Sequence, residues 1–370
     1  MVLVWMVMVG TGLIIINRIS ELRRPDWDLP ALFQHDLGPT GKWLCTAGYI
    51  VIFYGIMVAY LSAGSSILSY LLPGLLPGQI WLLIFFATAT SLTLFGVDFL
   101  RLCNTLFLAL AGLAFVYLLL VCGDKVAVKS LGYMDWEFLV STIPIITCGF
   151  AYHLVLPSVC QQLEFSTAEA KRALLIGMMI PLAASIVWIL VVIGTVPLSG
   201  PGEANILTAL HKGLPATQPL SAAVGSTTVK VAGVFFSLFA ILTSYLGVSL
   251  GLRSFVRDVT SPFIDRDNTA AHLFLVFGPP LVVALLYPHL FLKALDLVGG
   301  VGIVLVFGIL PVLMELRAWK TRPLPKRIIA LIFLVFLIGA MTIELGQEFG
   351  LLKIEPHIEY WKSSSANLHP

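Results

Sequence analysis

The chain reads as long apolar runs separated by short stretches rich in charge, proline and glycine. A helix needs about 17–25 mostly apolar residues to cross the hydrocarbon of a bilayer. Ten stretches qualify, approximately 1–17, 43–72, 79–97, 105–122, 138–160, 174–197, 229–252, 270–287, 294–314 and 328–347. The pattern predicts an all-α polytopic membrane protein with about ten transmembrane helices forming one domain over 1–347. A polar tail, 348–370, ends in "KSSSANLHP" and is expected to be disordered. The long linker 198–228, rich in Gly, Pro, Ser and Thr, predicts a short helix around Ala204–His211.

Composition sharpens this. Hydrophobic residues make up 58% of the chain and charged residues only 11%, against about 25% charged in an ordinary soluble domain. So few charges cannot cover a surface of this size, so most of it faces lipid. Nucleic-acid binding is excluded on the same ground, and no obligate protein partner is evident. Cys45, Cys103, Cys122, Cys148 and Cys160 lie in or near apolar runs without metal-ligand spacing, so they read as buried thiols.

The distribution of lysine and arginine predicts orientation. Alternate loops, beginning with 18–42, carry fifteen (Arg18, Arg101, Lys171, Arg172, Arg266, Arg317, Lys320 and Arg322 among them), whereas the opposite loops carry seven, including Lys125, Lys212 and Lys362. The first set is expected in the cytoplasm, which places both ends of this sequence outside.

The stretch "GFAYHLVLPS", 149–158, stands out. Pro157 lacks an N–H and is expected to leave the carbonyl of His153 unpaired, as Pro144 does for Val140. With Gly149 between them, the backbone from Gly149 to His153 is a candidate unwound segment. Hydrocarbon tolerates such a break only where protein or a water-filled cavity surrounds it. Transporters use broken spans to bind ions and carboxylates at mid-membrane. His153 adds a titratable group, and an ionisable residue inside a membrane marks a candidate functional site. Gly149, Phe150, Ala151, Tyr152 and His153 are therefore candidate substrate-binding residues. His153 is the candidate for proton coupling, or else a hydrogen-bond partner that holds the kink.

Two spans present faces of small residues: Gly233, Ser237, Ala240, Ser244, Gly247 and Gly251 in one, Gly48, Gly55, Ala59, Ser62 and Ser66 in the other. Such faces let helix backbones approach closely, and their hydroxyls can also line a cavity. Ser62, Ser66, Ser237, Thr243 and Ser244 join the candidate substrate-binding set on the second reading. Asp98 and Arg101 read as an interfacial pair. Asp296 and Glu344 read as relays for protons or, more commonly, as side chains that snorkel to the interface. No hydrolase, metalloprotease or complete phosphate-loop motif is present, and "LGPTGKW", 37–43, lacks the first glycine and the final Ser/Thr of the last. The protein is not expected to be an enzyme.

"FAYHLVLPS", "AKRALLIGMMIPLAASIVW", "FAILTSYLGVSLGLRSFVRDV", "GPPLVVALLYPHLFLKALDLVGG" and "AYLSAGSSIL" together resemble the aromatic amino acid permeases. These are the tyrosine- and tryptophan-specific transporters of the amino acid–polyamine–organocation superfamily, and the resemblance runs over about 1–347. It implies a fold of two inverted five-helix repeats, with substrate held between two broken helices. It also implies import of tyrosine or tryptophan across an inner membrane, driven by protons, with no cofactor; sodium coupling stays open. His153 matches the family histidine, and Thr243 and Ser244 match its T-S pair. Ala151 and Leu154 stand where relatives usually have glycines. The family's opening glycine-broken helix has no counterpart here, and the first span resembles the family's second. Two expectations follow: that the true start lies upstream, or that the chain is a truncated, non-transporting paralogue or a sensor that binds an amino acid without moving it.

Overall fold

The computed structural model describes residues 1–95, 97–132, 135–200, 202, 204–265, 267–317 and 323–354, without the side chains of Val97, Asp98 and Glu137. The expected Asp98–Arg101 pair, the charges Arg266, Lys320, Arg322 and Lys362, and most of the polar tail lie outside the described residues.

Among the described residues the chain is helical, with no strand. In order the helices are α1 (Val2–Leu22), α2 (Leu29–Leu37), α3 (Pro39–Leu71), α4 (Gly78–Leu94), α5 (Val97–Gly123), α6 (Trp136–Leu139), α7 (Ile143–Gly149), α8 (Leu156–Gln162), α9 (Thr167–Thr195), α10 (Ile206–Lys212), α11 (Thr217–Val224), α12 (Thr227–Thr260), α13 (Thr269–Leu286), α14 (Phe291–Leu297), α15 (Leu310–Arg317) and α16 (Leu324–Glu348). A π-helical segment, Val298–Ile309, joins α14 to α15 without interruption. Nine helical segments among the described residues are long and apolar enough to span a membrane; α4, with 17 residues, is shorter. Several helices outrun their apolar cores, because polar residues continue the hydrogen-bonded ladder past the hydrocarbon. The protein is an all-α polytopic membrane protein.

Local sequence explains the short elements. Asp28 caps α2 by accepting the Ala31 N–H at 2.9 Å, and Gly38 ends it with a positive φ of 79°. Asn205 caps α10 through the Thr208 N–H, and Gly213 closes it in the left-handed region. The linker expected to hold one short helix thus holds α10 and also α11.

The chain divides into two compact units. The first comprises Met1–Ile52, Asp135–Ile186 and Leu295–Pro356. In it the π-helical segment packs against α7 and α16. Glycines make this contact possible: a Cβ on Gly299 would collide with the backbone carbonyl of Pro144, and one on Gly308 would meet Leu337 at 2.7 Å. The second unit is built from Phe53–Met134 and Val187–Ala294, and is dominated by α12 lying along α5. Of the predicted small face, Gly233 meets Thr217 at the start of α11, and Gly251 sits under the Phe53 ring. Gly247 meets nothing and is exposed.

Candidate functional site

The span over 138–160 is broken. Helix α7 stops at Gly149, residues 150–152 are non-helical, a single 3-10 turn covers His153–Val155, and α8 resumes at Leu156. The prolines act differently from expectation. Pro144 and Pro157 both sit in the first turn of a helical half, where a missing N–H costs nothing. The carbonyl of His153 accepts the Leu156 N–H and that of Val140 accepts the Ile143 N–H, so neither is free. Tight i→i+3 turns have replaced the bonds proline cannot make. The unpaired groups lie between: among the described residues no hydrogen bond reaches the carbonyls of Phe150 and Ala151, and the Tyr152 N–H donates none.

His153 is fully buried at 0% exposure. Its ring stacks on Phe307 of the π-helical segment, 5.0 Å between centroids and 6° from parallel, and on Tyr152 at 4.3 Å. Nε2 lies 3.0 Å from Thr11 Oγ1 and 3.2 Å from the Met8 carbonyl. The Thr11 and Tyr152 hydroxyls both donate to the same carbonyl, at 2.9 and 3.0 Å. Thr11 already donates elsewhere, so the tautomer that fits carries its proton on Nε2 and gives it to these two oxygens. Nδ1 has no hydrogen-bond partner, and a buried acceptor without a partner is more readily tolerated than a buried N–H without one. No ion pair involving His153 occurs among the described residues.

The close approach is built into α1. Gly12 has no side chain where Tyr152 lies; a Cβ there would collide with the Tyr152 hydroxyl. Sequence reasoning missed Met8, Thr11, Gly12 and Phe307. The signal for Thr11 and Gly12 was "GTG" at 10–12, a small polar interruption in an apolar run; for Met8 and Phe307 there was none.

The other candidates distribute as follows. Phe150 is buried, Tyr152 half-buried, and Gly149 and Ala151 are exposed on the broken segment. Ser62, Ser66, Ser237, Thr243 and Ser244 all belong to the second unit. Two of them are bound to α11: Ser66 accepts from Gln218 at 3.1 Å, and Ser237 shares a hydrogen bond with Thr217 at 2.7 Å. Thr243 turns back to the Ala240 carbonyl, Ser244 is half-buried, and the Ser62 hydroxyl is buried without a partner.

Two acidic residues behave unlike snorkelling side chains. Glu344 is only 3% exposed, and Asp296 keeps one oxygen buried without a hydrogen bond. Among the described residues no cluster of three or more His, Cys, Asp or Glu could hold a metal ion. All five cysteines are free, and only Cys148 is not fully buried.

A polytopic helical protein with one span broken around a buried histidine has the architecture of a membrane transporter. The chain belongs to the tryptophan/tyrosine permease family, which it matches over residues 1–345; this is a family of transporters, not enzymes. The tyrosine-specific transport system 2 of Haemophilus influenzae is 31% identical over 330 residues, covering 86% of this chain and 78% of that protein. Tyrosine-specific transport system 1 of the same organism is 28% identical at the same coverage, and the tryptophan-specific transport protein of Pseudomonas aeruginosa is 29% identical, again covering 86% and 78%.

Proposed function

We propose that this protein imports an aromatic amino acid, tyrosine or tryptophan, across the inner membrane in symport with protons. The relatives named for tyrosine and tryptophan transport support the substrate class. The observation that carries the site is the break itself, with the unpaired Phe150 and Ala151 carbonyls and the unpaired Tyr152 N–H. An amino acid brings the complementary groups: an ammonium that donates to carbonyls and a carboxylate that accepts from N–H groups. The ring would lie beside Tyr152, which is only half-buried. His153 acts as the hydrogen-bond partner that fixes the break against α1, because among the described residues no carboxylate pairs with it to balance a positive charge.

The test is uptake into proteoliposomes holding the purified chain, with the outside made acidic. Labelled tyrosine or tryptophan should accumulate above its external concentration, and a protonophore should abolish the accumulation. His153→Ala should lose accumulation while the protein stays inserted. Accumulation of neither amino acid by correctly inserted protein would overturn the proposal.

A further inference from the structure

Glu344 on α16 is buried in the first unit at 3% exposure, and no ion pair reaches its carboxyl among the described residues. Its side chain lies against the π-helical segment at Gly300, where a Cβ would stand 3.1 Å from Glu344 Cδ. One turn earlier on the same continuous helix is Asp296, whose Oδ1 is buried and without a hydrogen bond. Four residues is about one helical turn, so Asp296 lies on the helix face that Gly300 turns toward Glu344.

The surrounding charges do not compensate them. From α7 the facing titratable group is the Cys148 thiol, whose Cβ would stand 3.3 Å from a Cβ on Gly299. From α16 it is Glu348, another acid, exposed one turn beyond Glu344. Lys293 and Lys353 are exposed and pair with neither carboxyl among the described residues. Burying an isolated ion costs several kcal/mol, and a second like charge beside it adds repulsion. Ionising both carboxyls side by side without a cation is therefore disfavoured.

We infer that Asp296 and Glu344 hold one exchangeable proton between them, reached from the surface through Glu348. The pair is joined to the broken span: Gly299 touches the Pro144 carbonyl at the start of α7, and Cys148 lies one residue before α7 ends. A proton moving on or off the pair changes the charge against which α7 and the π-helical segment pack. Its role in transport rests on the proton-symport reading; its existence does not.

The test is labelling with dicyclohexylcarbodiimide, an apolar reagent that attacks protonated carboxyls in apolar surroundings. With the full chain in detergent at neutral pH, peptide masses should show label on Glu344 or Asp296, falling as pH rises, and none on Glu348. Label on neither at neutral pH overturns the inference. So does protection by sodium without pH dependence, which would make the pair a cation site. In proteoliposomes, Glu344→Gln and Asp296→Asn should each lose gradient-driven accumulation yet keep exchange of internal for external amino acid; unaltered accumulation in both would overturn the coupling role. If the unmodified chain labels as expected but moves neither tyrosine nor tryptophan, the transport reading fails and the proton pair stands.

Discussion

His153 is positioned by residues almost the whole unit away in sequence: Met8 and Thr11 from below the ring edge, Phe307 against its face. Three donors converge on one carbonyl, which a helix can present sideways only where its next turn is bare. Gly12 supplies that gap. Gly12→Ala should therefore force the Tyr152 hydroxyl off the Met8 carbonyl and destabilise the protein by about 1–3 kcal/mol. The measurement is thermal unfolding in detergent, with Gly112→Ala as the comparison. A Cβ at Gly112 meets nothing, so that variant should unfold no earlier than the parent. Equal unfolding temperatures for both variants would show that the Tyr152 contact contributes nothing. At this scale the sequence marked His153 through its rarity in an apolar span, but not its partners, because contacts across some 140 residues leave no periodic trace.

At the level of elements, breaks are legible and packing partners are not. Pro144, Gly149 and Pro157 announce an interrupted helix, yet which carbonyls go unpaired depends on the 3-10 turns that form around them. In the sequence the π-helical segment is simply part of one apolar run, 294–314, among ten. Its glycines do not loosen it; they admit Pro144, Glu344 and Leu337. Outside the spans, α2 is tied to its neighbours through Asp36. Arg18 of α1 gives it two hydrogen bonds of 2.6 Å, His35 approaches at 2.6 Å, and Arg317 of α15 donates to its backbone carbonyl at 2.6 Å. Burial alone would raise the Asp36 carboxyl, but the bonds from Arg18 and His35 outweigh it and hold it below the usual value of 3.8. A carboxyl depressed in the folded state contributes its stability above its unfolded value and loses it as pH falls through the lower folded one. Asp36→Asn should thus destabilise the protein at neutral pH by about 3 kcal/mol. The difference from the parent should shrink only below about pH 4. Unfolding temperatures of both proteins across that range decide it; a gap that persists unchanged in acid would mean that the carboxylate's charge is not what binds α2.

The whole molecule adds a constraint that no single helix carries. Helices this apolar satisfy the bilayer in either orientation, so the asymmetry of lysine and arginine between alternate loops has to choose. The bias predicts Arg172, at the start of α9, in the cytoplasm and His211, at the end of α10, outside. Both are exposed, and four of the five native cysteines are buried, so introduced cysteines can be read above a low background. In intact cells a membrane-impermeant maleimide should label His211→Cys at once and Arg172→Cys only after permeabilisation. Helix count and apolar length, which the sequence displays openly, are indifferent to this result. The inverse labelling pattern would turn the chain over, carry α10 and α11 to the cytoplasmic side, and make Glu348, four residues beyond the buried Glu344, an entrance for protons from the cell rather than from outside it.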